Sequence, residues 1–322
     1  MFDLAALKDA ARLVRTHLPP TPQYAWPLLA ARAGCEVWVK HENHTPTGAF
    51  KVRGGLTYMD RLLRTRPGVR ARGIVSATRG NHGQSLAFAG RAFGVPVTIL
   101  VPHGNSTEKN AAMRALGARL VEHGQDFDAA REEAMRLAGA EGLEFAPSFA
   151  PELVLGVATY ALELFRGVPE PLDALYVPIG LGSGICACIL ARDLLGLRTE
   201  IIGVQSTEAP AYALSLATGH PVSTDSAATR ADGMATRIPD PDAFALIRRG
   251  ASRIVTVTDA EVAEAVRAYW QDTHNLAEGA GAASLAALLQ ERARMRGRRV
   301  GLVLSGGNID LALFRDWILG GR

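Results

Sequence analysis

One lysine lies in a stretch of small residues and could carry out chemistry that requires a primary amine. The stretch HENHTPTGAFKVRGG, from His41 to Gly55, places Lys51 among glycines, small polar residues and Phe50. The chain has 35 lysine and arginine residues, but only four of them are lysines. An arginine is not deprotonated in proteins, whereas a lysine amine can act as nucleophile or base. Lys51 is therefore a candidate for covalent chemistry; the alternative is a solvated lysine in a chain of arginine-biased composition.

A turn of small and polar residues follows one predicted strand. It reads SATRGNHGQ, from Ser76 to Gln84, and leads into a predicted helix. Ligands in α/β sheets bind beyond the carboxyl ends of the strands, and the N–H groups at a helix start attract anions. Thr78, Asn81 and His82 are thus candidates to hold a carboxylate. Taken alone, however, such a turn is more often an ordinary strand-to-helix connection.

A second turn, GLGSG from Gly180 to Gly184, lies between a predicted strand and a predicted helix. Its backbone N–H groups and the helix dipole would form a phosphate cradle. The G-x-G-x-G spacing is not the dinucleotide fingerprint, and the next strand ends at Gln205 where an acidic ribose partner would be needed. The turn therefore indicates a phosphate rather than a dinucleotide.

A third turn, SGGN from Ser305 to Asn308, places a hydroxyl at the end of the last predicted strand. This hydroxyl could contact a ring nitrogen, or it could simply cap the strand. The four features together are a lysine amine, a phosphate cradle, a carboxylate cradle and a hydroxyl. Pyridoxal phosphate needs these parts: an amine for a Schiff base, a phosphate site, a partner for the pyridine nitrogen and a hold on the amino acid.

The elements that must position these residues alternate regularly. Short β-branched runs, apolar on both faces, are separated by Ala- and Leu-rich helical stretches, which is typical of a parallel sheet covered by helices. The pattern predicts an α/β fold with right-handed crossovers. The predicted strands are residues 73–78, 97–101, 119–121, 174–179, 200–204, 253–257 and 299–304.

Two breaks in this alternation predict the domain organisation. Residues 142–151 interrupt it, and residues 19–38 are proline-rich and are predicted to be irregular. We expect a small α/β domain at residues 45–144, inserted into a large cofactor-binding α/β domain formed by residues 1–44 and 145–322.

Composition excludes several other classes of protein. The net charge of +3 is small and the basic residues are dispersed, so we expect no nucleic-acid partner. Apolar runs are too short for a membrane span, and the amphipathic N-terminal stretch lacks the apolar run of a signal peptide, so we expect neither. The three cysteines do not suggest a disulfide framework, which fits a cytoplasmic protein, and no zinc motif occurs.

The motifs resemble those of a known family. In chain order they are KHEN (40–43), TGAFKVRG (47–54), GNHGQ (80–84), VPIG (177–180), ADG (231–233) and LSGGN (304–308). They are similar to the fold-type II pyridoxal-phosphate enzymes, specifically the threonine/serine dehydratase and serine racemase branch. The resemblance covers nearly the whole chain. It implies a tryptophan synthase β-like fold with two three-layer open-sheet domains, and a homodimer.

The resemblance also implies roles for individual residues. Lys51 would form the Schiff base with the cofactor, with Phe50 packed on its ring and Ser305 facing the pyridine nitrogen. The phosphate would be bound by Gly180, Leu181, Gly182, Ser183 and Gly184. Asn81 would contact the cofactor hydroxyl, and the substrate would be held by Thr78, Asn81, His82 and Arg131.

This sequence departs from the family pattern at four places. Arg79 replaces a small residue, or the serine that racemases use; it would either bind a second anionic group of the substrate or point to solvent. Gln205, Ala209 and Ala211 stand where the branch often has metal ligands, so we expect no metal there. Leu181 interrupts an otherwise all-glycine loop, and a glycine follows Glu278 in place of proline.

We therefore expect an ammonia-lyase that converts a 3-hydroxy amino acid to a 2-oxo acid and ammonia. Lys51 would act as the base, and the neutral Ser305 would favour elimination over transamination. A racemase or β-replacement enzyme of the same fold is the alternative, and a non-catalytic cofactor binder is a third possibility. The chain ends soon after SGGN, so no regulatory domain is expected. Threonine, serine, 3-hydroxyaspartate and 3-phenylserine all stay open as substrates, as does stereochemistry.

Overall fold

The computed structural model describes residues 1–320. Its strands are β1 (Gln23–Ala25), β2 (Glu36–His41), β3 (Ile74–Ala77), β4 (Val97–Val101), β5 (Arg119–Glu122), β6 (Glu144–Phe145), β7 (Ala174–Pro178), β8 (Glu200–Ser206), β9 (Arg253–Val257) and β10 (Arg299–Leu304). Its helices are α1 (Leu4–Arg15), α2 (Pro27–Ala33), α3 (Lys51–Thr65), α4 (Val69–Arg72), α5 (Asn81–Phe93), α6 (Thr107–Ala115), α7 (Phe127–Glu141), α8 (Pro151–Gly167), α9 (Ser183–Leu194), α10 (Ala211–Thr218), α11 (Pro241–Gly250), α12 (Asp259–Thr273), α13 (Gly279–Gln290), α14 (Arg292–Met295) and α15 (Leu311–Leu313). Single 3₁₀ turns at Glu42–His44 and Asp232–Met234 and a π-helical turn at Phe314–Leu319 complete this part of the chain.

The chain divides into two compact units. We call them the lysine unit, which comprises Met1–Pro19 and Phe50–Thr159, and the loop unit, which comprises Pro20–Ala49 and the chain from Tyr160 onward. None of the helices within residues 1–320 has the length and apolar character needed to cross a membrane.

The lysine unit is built on a four-stranded parallel sheet of order β5-β4-β3-β6. Alternate strand residues face opposite sides, as strand geometry requires. Ile74 and Ile99 belong to a core cluster with residues of α1, α3, α5 and α6, whereas Val75 and Leu100 pack with Ala130 and other residues of α7. Helices therefore cover both faces of this sheet, in three layers.

The loop unit contains a six-stranded sheet of order β1-β2-β10-β7-β8-β9. All of its neighbouring strands are parallel except β1, which pairs antiparallel with β2 at the edge. One face packs in a core cluster with residues of α2, α12 and α13, and α9 packs on β7 and β8. The predicted α/β class is confirmed, and each predicted strand corresponds to a strand of one of the two sheets.

The structure differs from the predicted domain boundaries because of three packing contacts. Residues Val14 and Leu18 at the N-terminus share a core cluster with α3, so residues 1–19 belong to the lysine unit. The first half of α8 also belongs there, since a Cβ atom at Gly54 of α3 would lie 2.8 Å from the Leu153 carbonyl oxygen. Residues 45–49 belong instead to the loop unit, because Ala49 forms a β-bridge with Gly306.

The prediction that residues 19–38 are irregular is wrong. This segment contains β1, α2 and the start of β2. Local signals for α2 were present, since Pro27 occupies its first turn and Gly34 ends it at a φ of 72°. β2 is inserted between β1 and β10, and β10 lies more than two hundred residues further along the chain.

Candidate active site

Lys51 is the first residue of α3 and follows Phe50, which comes directly after the β-bridged Ala49. Its carbonyl oxygen accepts a hydrogen bond of 2.6 Å from Ser85 Oγ of α5. A Cβ atom at Gly55 would lie 2.7 Å from the Ser85 carbonyl oxygen, so α3 and α5 approach each other too closely for a side chain there. Glycine at this position lets the start of α3 sit against α5, which fixes the backbone of Lys51.

The environment of Lys51 lowers the pKa of its amine. The residue as a whole is half-buried, but its amine is surrounded by protein, and this burial lowers the pKa from 10.5 to about 8. The Nζ atom lies 5.2 Å from the centroid of the Phe50 ring. A lysine amine with this pKa is a usable nucleophile and base near neutral pH.

The turn between β3 and α5 carries the predicted carboxylate ligands. Thr78 Oγ1 accepts a hydrogen bond of 3.1 Å from the Gly80 N–H, which closes the turn. Thr78 and His82 are buried and Asn81, the first residue of α5, is half-buried. The start of α5 carries the positive end of the helix dipole, which favours an anion at this turn.

His82 stays neutral in this turn. Burial, followed by the positive charge of Lys51, lowers its pKa to about 3, although a hydrogen bond with the backbone of Pro147 acts in the opposite direction. Its Nε2 atom is buried and has no hydrogen-bond partner among residues 1–320. A buried ring nitrogen without a partner is costly in a folded protein, so His82 Nε2 is a candidate contact for a bound ligand.

The two predicted arginine ligands are both exposed. Arg79 lies in the middle of the β3–α5 turn and Arg131 lies on α7, and no hydrogen bond or ion pair of either side chain is found within the described residues. The structure brings Arg79, but not Arg131, into the turn that contains Thr78 and His82. The substrate role of Arg131 stays a prediction.

Lys109 is a further neighbour of this turn that the sequence motifs did not indicate. Lys109 is buried on α6, and its Cδ atom would lie 2.6 Å from a Cβ atom at Gly80. The sequence offered one indication of a special role, because Lys109 is one of only four lysines in a chain whose basic residues are mostly arginines. A side chain at residue 80 would therefore force the Lys109 side chain to shift.

In the loop unit, the predicted phosphate loop joins β7 to α9. Gly182 precedes α9 with a φ of 102°, in the left-handed region that favours glycine. A side chain at Gly180 would collide with the Gly233 carbonyl oxygen, and a Cβ atom at Gly182 would lie 2.8 Å from Ala243 Cβ. Ser183 and Gly184 begin α9, whose first N–H groups lack intrahelical acceptors. This arrangement fits an anion such as phosphate.

Ser305 lies directly after β10 and is buried. Several hydrogen bonds hold the residues that follow it. The Gly306 carbonyl oxygen accepts one of 3.0 Å from the Glu278 N–H, the Gly307 N–H donates one of 2.9 Å to the Gly48 carbonyl oxygen, and Asn308 Nδ2 donates one of 2.8 Å to the Thr47 carbonyl oxygen. The SGGN turn and the first residues of TGAFK are therefore hydrogen-bonded to each other within the loop unit.

The three positions compared with family metal ligands hold no carboxylate. Gln205 is buried, and its Oε1 atom accepts a hydrogen bond of 2.8 Å from the Ala213 N–H. Ala209 and Ala211 offer only backbone groups. Within residues 1–320 no cluster of three histidine, cysteine, aspartate or glutamate side chains could hold a metal ion. The expected absence of a metal stays a prediction.

Comparison with known proteins relates this geometry to one family. Residues 14–306 match the family described as pyridoxal-phosphate dependent enzyme. The chain is 33% identical over 312 residues to an L-threonine ammonia-lyase of Thermotoga maritima, covering 97% of this chain and 77% of that protein. It is 34% identical over 301 residues to an L-threo-3-hydroxyaspartate ammonia-lyase of a Pseudomonas species, covering 93% of each.

A solved structure supports the same relationship. The processed form of threonine deaminase isoform 2 from Solanum lycopersicum superposes with a TM-score of 0.90 at 27% identity, covering 100% of this chain and 95% of that one. The chain belongs to the fold-type II pyridoxal-phosphate-dependent enzymes, in the branch of the threonine and serine dehydratases and serine racemases.

Proposed function

We propose that this protein is a pyridoxal-phosphate-dependent ammonia-lyase that converts a 3-hydroxy amino acid to a 2-oxo acid and ammonia. The observation that carries the proposal is the Lys51 amine, which burial holds at a pKa of about 8 beside a turn with anion-binding features. Relatives named as ammonia-lyases, at 33% and 34% identity over most of the chain, support the reaction type.

The residues present fit the cofactor. Lys51 supplies the amine that would hold it, Phe50 and Asn81 would contact its ring, and Ser305 would face the pyridine nitrogen. The phosphate would lie on the turn formed by Gly180, Leu181, Gly182, Ser183 and Gly184. Three observations support this fit: the unpartnered Nε2 atom of His82, the left-handed Gly182, and the lowered pKa of Lys51. When bound, the cofactor supplies an electron sink that acidifies the Cα–H bond of the amino acid.

Each side chain then has a defined task. The substrate carboxylate would bind at the turn of Thr78, Asn81 and His82, where backbone N–H groups at the start of α5 would donate to it. The neutral His82 ring donates its one N–H to the Pro147 carbonyl oxygen, so its Nε2 atom would accept a hydrogen bond from a donor group of the bound ligand. The Lys51 amine would take the Cα proton, and its lowered pKa leaves part of it unprotonated for that purpose. Loss of the 3-hydroxyl as water, followed by hydrolysis of the resulting enamine, would release the 2-oxo acid and ammonia.

Arg79 favours a substrate with a second carboxylate. Its guanidinium is exposed and has no partner within the described residues, although it lies in the turn that would bind the first carboxylate. A guanidinium and a carboxylate form a strong charge-assisted pair. We therefore propose 3-hydroxyaspartate as the candidate to test against threonine, serine and 3-phenylserine. Arg79 speaks against a racemase, because a permanently charged guanidinium cannot shuttle a proton.

Further features support an oligomeric, cytoplasmic enzyme. The loop unit exposes several large apolar side chains, namely Tyr24, Leu28, Trp270 and Leu276, which a second copy of the chain could cover in a homodimer. The three cysteines are buried and unpaired, which fits a reducing compartment. Sedimentation of the purified protein would test the dimer.

The proposed activity is tested by 2-oxo acid release from a panel of 3-hydroxy amino acids, with both enantiomers of each. We expect release from at least one member, abolished in Lys51→Ala and retained in Lys8→Ala, whose lysine is exposed on α1. If the cofactor-loaded protein released no 2-oxo acid from any member of the panel, the lyase proposal would be contradicted, and β-replacement or racemisation would be favoured.

The role of Arg79 needs a separate comparison. In Arg79→Ala we expect the preference for 3-hydroxyaspartate over threonine to fall by about tenfold or more, the value of a hydrogen bond to a charged group. Arg91→Ala, which removes an exposed arginine from the last turn of α5, is the control. An unchanged preference in Arg79→Ala would assign this side chain to solvent.

A further inference from the structure

Tyr212 is a fully buried tyrosine in the first turn of α10, and both hydrogen-bonding functions of its hydroxyl are used. The hydroxyl donates to the Leu181 carbonyl oxygen at 2.9 Å and accepts from the Asp240 N–H at 3.0 Å. Burial raises the pKa of Tyr212 above its ordinary value, so the hydroxyl stays protonated and remains a donor. Two hydrogen bonds on one hydroxyl fix its position.

The first of these bonds orients the peptide unit between Leu181 and Gly182. The peptide bonds of residues 1–320 include no cis bond, and in a trans peptide the C=O and N–H groups point in opposite directions. Because the Leu181 carbonyl points to Tyr212, the Gly182 N–H must point away from it. The hydroxyl of Tyr212 thereby sets the direction of one backbone donor of the GLGSG turn.

The second bond ties the same hydroxyl to the start of α11. Asp240 caps this helix, with its carboxylate accepting from the N–H groups of Asp242 and Ala243. A Cβ atom at Gly182 would lie 2.8 Å from Ala243 Cβ and 3.4 Å from Tyr212 Oη. Tyr212 and the first turn of α11 therefore pack closely against Gly182, and they restrict movement of the GLGSG turn towards α11.

We propose that Tyr212 is a positioning residue that holds the GLGSG turn in the conformation that binds the cofactor phosphate. Without its hydroxyl, the Leu181 carbonyl is free to rotate towards the phosphate, where its partial negative charge opposes binding and the Gly182 N–H is lost as a donor. The inference rests on the proposed assignment of the phosphate to this turn. Tyr212 has no contact with the reacting atoms and acts only through the backbone.

The test separates phosphate binding from the rest of cofactor binding. The full-length Tyr212→Phe variant and the wild type are dialysed to equilibrium against pyridoxal phosphate, and separately against pyridoxal, which has the same aldehyde but no phosphate. For Tyr212→Phe we expect about tenfold weaker binding of pyridoxal phosphate, the order of one buried hydrogen bond and an unsatisfied carbonyl. Affinity for pyridoxal should not change.

Tyr176→Phe is the matched control. Tyr176 is also a buried tyrosine of the loop unit, and its hydroxyl donates to Glu291 Oε2 at 2.6 Å, so the variant loses a buried hydrogen bond elsewhere. It should bind both compounds as the wild type does. If Tyr212→Phe does not fold, Tyr212→Met removes the hydroxyl with a flexible side chain and is measured in its place.

The outcomes distinguish two kinds of failure. If the wild type binds pyridoxal phosphate no more tightly than pyridoxal, the assignment of the phosphate to the turn is wrong, and the cofactor geometry of the proposed function is wrong with it. If the wild type distinguishes the two compounds and Tyr212→Phe retains the full preference, only the role of Tyr212 is overturned. Equal weakening for both compounds would likewise overturn it, because a general structural role gives that pattern.

Discussion

Lys51 should destabilise the cofactor-free protein, and its removal should stabilise it. Burial lowers the pKa of the amine from 10.5 to about 8, so keeping it protonated in the folded state costs free energy. The difference corresponds to about 3 kcal/mol. Below pH 8 both the folded and the unfolded chain carry the proton, and the full cost is present. Lys51→Met, which retains the length of the side chain without the charge, should therefore be about 3 kcal/mol more stable than the wild type at pH 7.

The sign of the pH dependence follows from the direction of the pKa change. As the pH rises above 8 the folded protein loses the proton while the unfolded chain keeps it up to about pH 10.5. The cost in the wild type therefore decreases, to about 2 kcal/mol at pH 9. The stability advantage of Lys51→Met should shrink by about 1 kcal/mol between pH 7 and pH 9.

Urea unfolding of protein stripped of cofactor measures this difference directly. The cofactor must be removed because a ligand of the folded state adds stability by mass action. Lys8→Met is the matched control, since Lys8 is exposed on α1 and its replacement should give no comparable gain. The reasoning is refuted if Lys51→Met is no more stable than the wild type at pH 7, or if its advantage grows with pH.

Three further predictions concern the surrounding framework. Lys40→Met should destabilise the protein by about 3 kcal/mol in thermal or urea unfolding, because the buried Lys40 amine bonds Glu163 at 2.8 Å and the substitution leaves that carboxylate without this cation. A loss of stability below about 1 kcal/mol would mean that the Lys40–Glu163 pair is solvated. Gly55→Ala should lower both the melting temperature and the activity, because the added methyl group would lie 2.7 Å from a backbone oxygen of α5. Gly139→Ala is the control, since its added methyl group would have no atom within 4 Å and should not destabilise the protein. Equal effects of the two substitutions would contradict the close approach of α3 and α5. His82 should remain neutral from pH 5 to pH 8, given its pKa of about 3, and the ring-proton resonances identified by comparison with His82→Asn should not shift across that range.

Much of the fold could be predicted because burial leaves a periodic trace in the sequence. Strands such as β4 and β7 are apolar on both faces, and this is how central parallel strands covered by helices differ from edge strands. By contrast, β1 is a three-residue edge strand with exposed residues, and β6 has only two residues. Elements this short carry no period, so their strand conformation depends on the neighbouring strand that pairs with them.

The unit boundaries could not be predicted for a related reason. The unit boundary at Ala49 depends on the bridge of this residue to Gly306. The assignment of residues 1–19 to the lysine unit depends on Val14 and Leu18, which pack in one core cluster with α3. These are contacts between residues that are distant in sequence. A local pattern reports that a residue is buried, but it does not report which element buries it.

The features of the candidate site are also of two kinds, those set by local sequence and those set by contacts with remote residues. The sequence alone determined the α/β class, the singular Lys51, and the glycine-rich turns at the strand ends, because these depend on residue type and short spacing. Only the tertiary structure decided that burial lowers the pKa of Lys51, that His82 is neutral with an unpartnered nitrogen, and that Tyr212 orients the turn after β7. The physical reason is that desolvation and hydrogen-bond geometry depend on the atoms that surround a group, and most of those atoms come from remote parts of the chain.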